Sequence, residues 1–221
     1  MANKKIKKVK LSLDMEICSD LMHYIQECVQ QEIDVENICV KNFNTEDADF
    51  SGNTFENVCF DHCDFTNVNM SRCHFYNVMF TSCTFPDCTF LNSWFKQCFF
   101  EESQFKGCSF SESKFRDVTI LNSNMGYANF TLDKFEACEI ISTDMSNSFF
   151  AQCKLKNFFV NESIFLRTEF FQTALEGIDF SSCILDGISV SAGGTELKGV
   201  IVNIYQAAEL SRLMGIVIKD T

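Results

Sequence analysis

A large apolar residue falls on every fifth position of this chain from Phe50 to Val190 without a miss. Most of these positions are Phe, and Met70, Ile120, Met125, Ile140, Met145, Leu155, Val160, Leu175, Leu185 and Val190 fill the rest. A period of five fits neither the 3.6 of a helix nor the 2 of an ordinary strand, so the chain reads as a stacked repeat. The residue two places before each centre is usually small, as in Cys63, Val68, Cys73, Val78, Cys83, Cys88, Ser93, Cys98, Ser103 and Cys108. One large and one small side chain per five residues suit a backbone that turns a corner in each repeat and points both inward.

The same two places are held upstream by Ile33 with Val35 and by Ile38 with Val40, while Phe43 with Thr45 reads inverted. Downstream, Val190 is followed by Leu197, a step of seven that coincides with Gly193 and Gly194 and predicts a small bulge. Thr195 with Leu197 and Val200 with Val202 resume the pattern, so the solenoid is expected over 33–202. Residues 1–32 are then an N-terminal cap, with an alternation at Leu11, Leu13 and Met15 and helical spacing at Leu21, Ile25, Cys28 and Val29. Residues 203–221 read as an Asn203 N-cap, a short helix with Ala207, Leu210 and Met214 on one stripe, a Gly215 stop and an apolar strand.

The large-small period of five resembles the pentapeptide-repeat family. That resemblance implies an all-β fold, a right-handed quadrilateral parallel β-helix with four pentapeptides per coil. At the strand spacing of about 4.8 Å, eight or so coils make a rod of roughly 40 Å. The tail, with Tyr205-Gln206-Ala207 and Leu213-Met214-Gly215-Ile216-Val217-Ile218, looks like that of the Qnr-type quinolone-resistance proteins. This second resemblance implies a homodimer joined end to end through Tyr205, Ala207, Leu210, Leu213, Met214, Ile216 and Ile218. It also implies a rod that binds DNA gyrase and topoisomerase IV as a DNA-like ligand and protects them from quinolones. Many of those proteins carry two loops bulging from the repeat, for which the register from 50 to 190 leaves no room. Any such contact here falls to the faces, the tail or the N-terminal segment.

Thirteen cysteines suggest a metal or disulfide protein. Nine of them (Cys63, Cys73, Cys83, Cys88, Cys98, Cys108, Cys138, Cys153 and Cys183) hold the small inward place, where Ser, Val, Ala and Thr also occur, so they read as small core residues. Cys18 and Cys28 lie outside the ladder and are free to be exposed. His23, His62 and His74 adjoin no nucleophile motif, and no glycine-rich phosphate loop or metal-ligand spacing occurs, so neither an enzyme nor a cofactor is expected. Asp133 is a carboxylate in a small inward place, expected to be satisfied by backbone amides. No run of about 18 apolar residues exists, and the lysine-rich start lacks the long apolar core of a signal peptide, so a cytoplasmic location without a membrane span is expected.

Charge then distinguishes the sides of the coil. Residues 46–195 hold 20 acidic and 9 basic side chains, nearly all of the chain's net charge of −12. Taken modulo twenty, the side containing 61–65 collects Asp61, Asp64, Glu101, Glu102, Asp144 and Glu162, with no Lys or Arg in that range. Two other sides are also acidic on balance, whereas the fourth carries Arg72 and a ladder of Lys114, Lys134 and Lys154. About one net charge per 3.6 Å of rod is sparser than duplex DNA at about one per 1.7 Å. Such a surface repels nucleic acid and suits a protein whose groove is built for an acidic rod. A scaffold repeat protein with another partner, or an immunity protein against a gyrase-directed toxin, fits the same features.

Overall fold

A computed structural model describes residues 6–12 and 14–219 of the chain. Leu13 of the expected alternation, and Lys4 and Lys5 of the lysine-rich start, lie outside the described residues. Parallel pairing joins residues twenty apart on all sides: Thr54 with His74 and Trp94, Cys59 with Met79 and Phe99, Asp64 with Thr84, Asn69 with Thr89. Twenty residues are four pentapeptides, so each coil has four sides and the chain forms the expected quadrilateral parallel β-helix. The spacing holds from Asp49↔Asn69 to Glu169↔Ser189, and no loop leaves the coil between them. It then lengthens to Asp179↔Ile201, because Gly193 and Gly194, both at positive φ, insert two residues.

The corners have a backbone signature. From Glu32 to Gly177 every fifth residue, two places after each inward centre, is left-handed; φ lies between +48° and +66° where it is not glycine. None of these residues is β-branched, and Asn recurs most often. The left-handed region is strained for branched side chains and least so for Asn, Asp and Gly. This third place in the repeat is therefore selected by backbone sterics and not by burial.

Inside, one-coil stacking places rings face to face: Phe55, Phe75, Phe95, Phe115 and Phe135 stack at 4.7–5.1 Å with interplanar angles of 9° or less. Rings on adjacent sides meet edge-on, as Phe60 and Phe65 do at 85°. Each buried Phe contributes about 1.5–3 kcal/mol by area alone. The small inward residues have a second task. Ser93 Oγ donates to Met70 O (3.0 Å) and accepts from Cys73 N (3.1 Å); Ser113 Oγ donates to Phe90 O (2.9 Å) and accepts from Ser93 N (2.8 Å). Cysteines join these columns, Cys73 Sγ donating to Phe50 O at 3.0 Å and Cys88 Sγ to Phe65 O at 3.0 Å. The nine inward cysteines are all buried and unbridged.

Both ends depart from the plain repeat. Helix α1 (Leu21–Gln31) is capped by Asp20, whose side chain accepts from His23 N, and buries Leu21, Ile25 and Cys28. Val29, expected on the stripe with Leu21, Ile25 and Cys28, is instead 59% exposed, while Cys28 is buried. Ile33 is also exposed, at 56%, because its N–H bonds back to Cys28 O in the last turn of α1; the inward series starts at Val35. At the other end, the two inserted residues turn Thr195 outward and Glu196 inward, so the pair Thr195 and Leu197 does not resume the pattern. Glu196 Oε1 accepts from Gln172 N (2.8 Å) and Ser191 N (3.2 Å).

Helix α2 (Ile204–Leu213) begins in a capping box of Asn203 and Gln206. Its buried residues are Gln206 and Leu210; of the expected stripe only Leu210 is buried, and Ala207 and Met214 are exposed. Gln206 is drawn in by polar groups: Nε2 donates to Phe180 O (2.9 Å) and Cys183 O (2.7 Å) at the rim of the last coil. Beyond Gly215 the expected strand is absent among the described residues; Ile216, Val217 and Ile218 are exposed, and only Ile216 is tied back, its N–H donating to Ser211 O at 3.1 Å. An apolar strand needs a neighbouring edge, and this chain offers none there.

The corner signature gives a direct test. Asn92, at φ +55°, keeps its conformation as Asn92→Gly and is strained as Asn92→Val. Urea denaturation is expected to show the Val variant destabilised by about 1–3 kcal/mol relative to the Gly variant; equal midpoints contradict the corner argument.

Candidate protein-interaction surface

The structure places Asp61, Asp64, Glu101, Glu102, Asp144 and Glu162 on one side of the rod in three neighbouring columns. Asp61 and Glu101 share a column two coils apart through Thr81. Asp64 and Asp144 share another through Thr84, Gln104 and Asn124. Glu102 and Glu162 stand on left-handed corners at φ +50° and +49°, which aims them off the edge of that side. Asp64, Glu102 and Glu162 are exposed and the other three half-exposed.

Their charges are not equally free. Lys41, upstream of the range over which the side is free of cations, pairs in register with Asp61 and lies 3.3 Å from its carboxylate. His62 Nδ1 meets Asp61 on the other side at 2.7 Å, and the His62 hydrogen bond, with Lys41 assisting, holds the Asp61 carboxyl below its ordinary range. Asp64 accepts from Thr84 Oγ1 at 2.6 Å, and Asp144 from Ser146 N at 2.9 Å. Among the described residues no Lys or Arg lies within 4 Å of Glu101, Glu102, Asp144 or Glu162. The side containing 116–120 neutralises itself more fully. Arg116 approaches both Asp117 and Glu136 at 3.8 Å, and Lys156 reaches Glu136 at 3.3 Å.

The opposite sign is concentrated where expected. Lys114, Lys134 and Lys154 pair in register, continuing a column that runs through Thr54, His74 and Trp94. All three are exposed, at one-coil spacing, and like charges so placed repel. Beneath them lies Asp133, fully buried. Its Oδ1 accepts from Ser113 N at 2.7 Å, but Oδ2 has no hydrogen-bond partner among the described residues, so it is only half satisfied. Burial pushes its carboxyl up to about 9, which makes it a neutral acid at pH 7. Ser113 and Cys153, above and below it, donate to carbonyls in the preceding coil, and a protonated Asp133 has a proton of the same kind to give.

Five of the inward thiols are poor nucleophiles. Burial pushes Cys73, Cys98, Cys138 and Cys153 up to about 12 and Cys88 to about 11, far from the thiolate range. No group of three or more His, Cys, Asp or Glu suited to a metal occurs among the described residues. No helix among them is long and apolar enough to cross a membrane. The tail residues Tyr205, Leu213, Met214, Ile216 and Ile218 are exposed, with Ala207 beside them, while Leu210 packs on the rod.

The register and corners define a pentapeptide-repeat solenoid, and the comparisons agree: a family model of pentapeptide repeats, in eight copies, matches residues 59–90. Residues 59–90 thus match pentapeptide repeats in sequence, and the same twenty-residue register runs on through Glu169↔Ser189. Solved structures similar to it include full-length QnrB1, a plasmid-mediated fluoroquinolone resistance protein, with 18% identity and a TM-score of 0.35 over 80% of this chain and 100% of that one. A trypsin-treated QnrB1 variant gives 18% and 0.43 over 84% and 100%. HetL, a pentapeptide repeat protein involved in heterocyst differentiation regulation in Nostoc sp. strain PCC 7120, gives 8% and 0.40 over 80% and 90%. No curated protein matches the chain.

Asp133 supplies a pH test with a defined sign. Its folded pKa lies above the unfolded value near 3.9, so its favourable contribution is complete below pH 4 and is lost as pH rises towards 9. Relative to Asp133→Ser, the residue its column favours, the wild type is expected to lose stability by about 1.4 kcal/mol per pH unit within that window. Urea titrations at pH 5, 7 and 9 measure the difference; a pH-independent difference contradicts a neutral Asp133.

Proposed function

We propose that this chain is a protein ligand of type II topoisomerases, DNA gyrase and topoisomerase IV, that protects them from quinolones as a homodimer joined through its C-termini. The observation that carries the proposal is the sorting of charge by side. Glu101, Glu102, Asp144 and Glu162 form an uncompensated acidic surface on a rigid rod, while Lys114, Lys134 and Lys154 stack on another side. A cleft built for the polyanionic duplex attracts such a surface and is oriented by it. The tail supports the dimer: its sequence looks like the Qnr-type tail, and it exposes Tyr205 at 83%, Val217 at 84% and Met214 at 61%. A second copy that covers these residues removes a sizeable apolar patch from water. With no loops interrupting the coil, binding uses the sides of the rod and the tail.

Purified protein is expected to restore gyrase supercoiling in the presence of a quinolone; no rescue at any concentration removes the proposal in favour of a scaffold role. Reversal of Glu101, Glu102, Asp144 and Glu162 to Lys is expected to weaken gyrase binding by tenfold or more. Reversal of Lys114, Lys134 and Lys154 to Glu is expected to change it little, and equal effects refute the assignment of the side. Sedimentation equilibrium is expected to give a dimer that Val217→Asp with Ile218→Asp converts to monomer.

A further inference from the structure

The segment ahead of α1 makes contacts that the repeat does not require. Residues 7–12 run back along one corner of the rod, and their backbone is read by corner side chains. Ser12 N donates to Asn57 Oδ1 (3.0 Å), Lys10 N to Asn77 Oδ1 (2.8 Å) and Lys7 N to Asp117 Oδ1 (3.2 Å). Asn77 Nδ2 donates back to Lys10 O at 2.8 Å. The acceptors are held in place by their own ladder, Asn57 Nδ2 donating to Asn37 Oδ1 (2.7 Å) and Asn77 Nδ2 to Asn57 Oδ1 (3.1 Å). Five residues of extended chain span about 17 Å, and the three coils from Asn57 to Asp117 about 14 Å, so only an extended segment keeps step with this corner.

The seat is also incompletely filled. Val9 is half-buried against the side of the rod, and a cavity of about 200 Å³ remains between Lys7, Lys8 and Val9 and the outward residues Met79, Phe99 and Thr119. Lys7, Lys8 and Lys10 turn to solvent, over a rod whose net charge favours cations. We propose that the corner formed by Asn57, Asn77 and Asp117 is a docking groove for an extended, lysine-bearing segment of a partner protein with a large apolar residue at the Val9 place. The chain's own residues 7–12 occupy it in cis, and a partner segment must displace them. The groove is distinct from the acidic side proposed above and does not depend on which enzyme that side meets.

The test uses the full chain and fluorescein-labelled peptides of residues 6–12, with Val at position 9 and with Val9→Phe, read by fluorescence anisotropy. Combined Lys7→Pro, Lys10→Pro and Ser12→Pro in the protein remove the three backbone donors and empty the groove. The emptied protein is expected to bind the Val peptide at least tenfold more tightly than the wild type does, and the Phe peptide more tightly still. Adding Asn57→Gly and Asn77→Gly, which suit left-handed corners at φ +54° and +56° and so preserve the coil, is expected to abolish that gain. In the wild type, the amides of Lys7, Lys10 and Ser12 are expected to be protected from hydrogen exchange and to lose protection in Asn77→Gly. Equal binding to wild type and emptied protein, equal binding of a scrambled peptide, or open-chain exchange of the three amides overturns the proposal.

Discussion

Every other property of this rod follows from the need to turn the backbone through a corner after each inward aromatic residue. A left-handed residue at that place redirects the chain, and four such redirections bring residue i+20 alongside residue i. One omitted corner shifts everything beyond it to another side, so the stacked Phe columns, the hydrogen-bonded columns of Ser and Cys and the sorting of charge all rest on this one local geometry. The Phe rings do not choose face-to-face stacking for its own sake, since isolated rings prefer offset or edge-on contact. The coil spacing imposes it, and burial on every side compensates.

The same regularity separates two kinds of side chain. Inward residues are constrained by volume and by the carbonyls they must satisfy; outward residues are constrained by almost nothing in the fold. Charge placed outward therefore reports what the surface meets. Glu101, Glu102, Asp144 and Glu162 have no Lys or Arg ion-pair partner among the described residues, although Asp61 on the same side pairs with Lys41, whereas Glu136 on another side is engaged by both Arg116 and Lys156. Carboxylates on different sides thus present different fields. Asp133 is the reverse case, a carboxylate in an inward place that keeps the column continuous only as a neutral acid.

Much of this was legible in the sequence. The period of five located the core from Val35 onward, the side of each charge and the two-residue insertion at Gly193 and Gly194, because those depend only on counting. The corner residues left a readable trace as well, an excess of Asn and an absence of β-branching at one place, but burial patterns do not reveal it. The ends were less legible. Ile33, Thr195 and Ala207 have side chains that suit the inward place, yet a helix exit, an insertion and a buried Gln206 turn them outward. Gln206 was readable only as part of a capping box; that its amide also reaches Phe180 O and Cys183 O depends on how α2 lies across the last coil. Lys41 was missed because it precedes the stretch over which charge was sorted. The seat of residues 7–12 depends on side chains 45 to 110 positions away, and no local pattern signals it.

A stack of parallel strands normally ends in a row of unpaired carbonyls on which another strand can grow. Here the last coil spends those groups inside the molecule: Gln206 takes the Phe180 and Cys183 carbonyls, and Asn203 Nδ2 takes that of Ser181 at 3.0 Å. Over these three carbonyls a partner meets side chains of Asn203 and α2 rather than a ladder it can continue. The rod resembles a ruler with a finished edge. Its length is set by the number of repeats, and the capped carbonyls oppose templated addition at this end, which separates a solenoid of this kind from a fibril built on the same spacing.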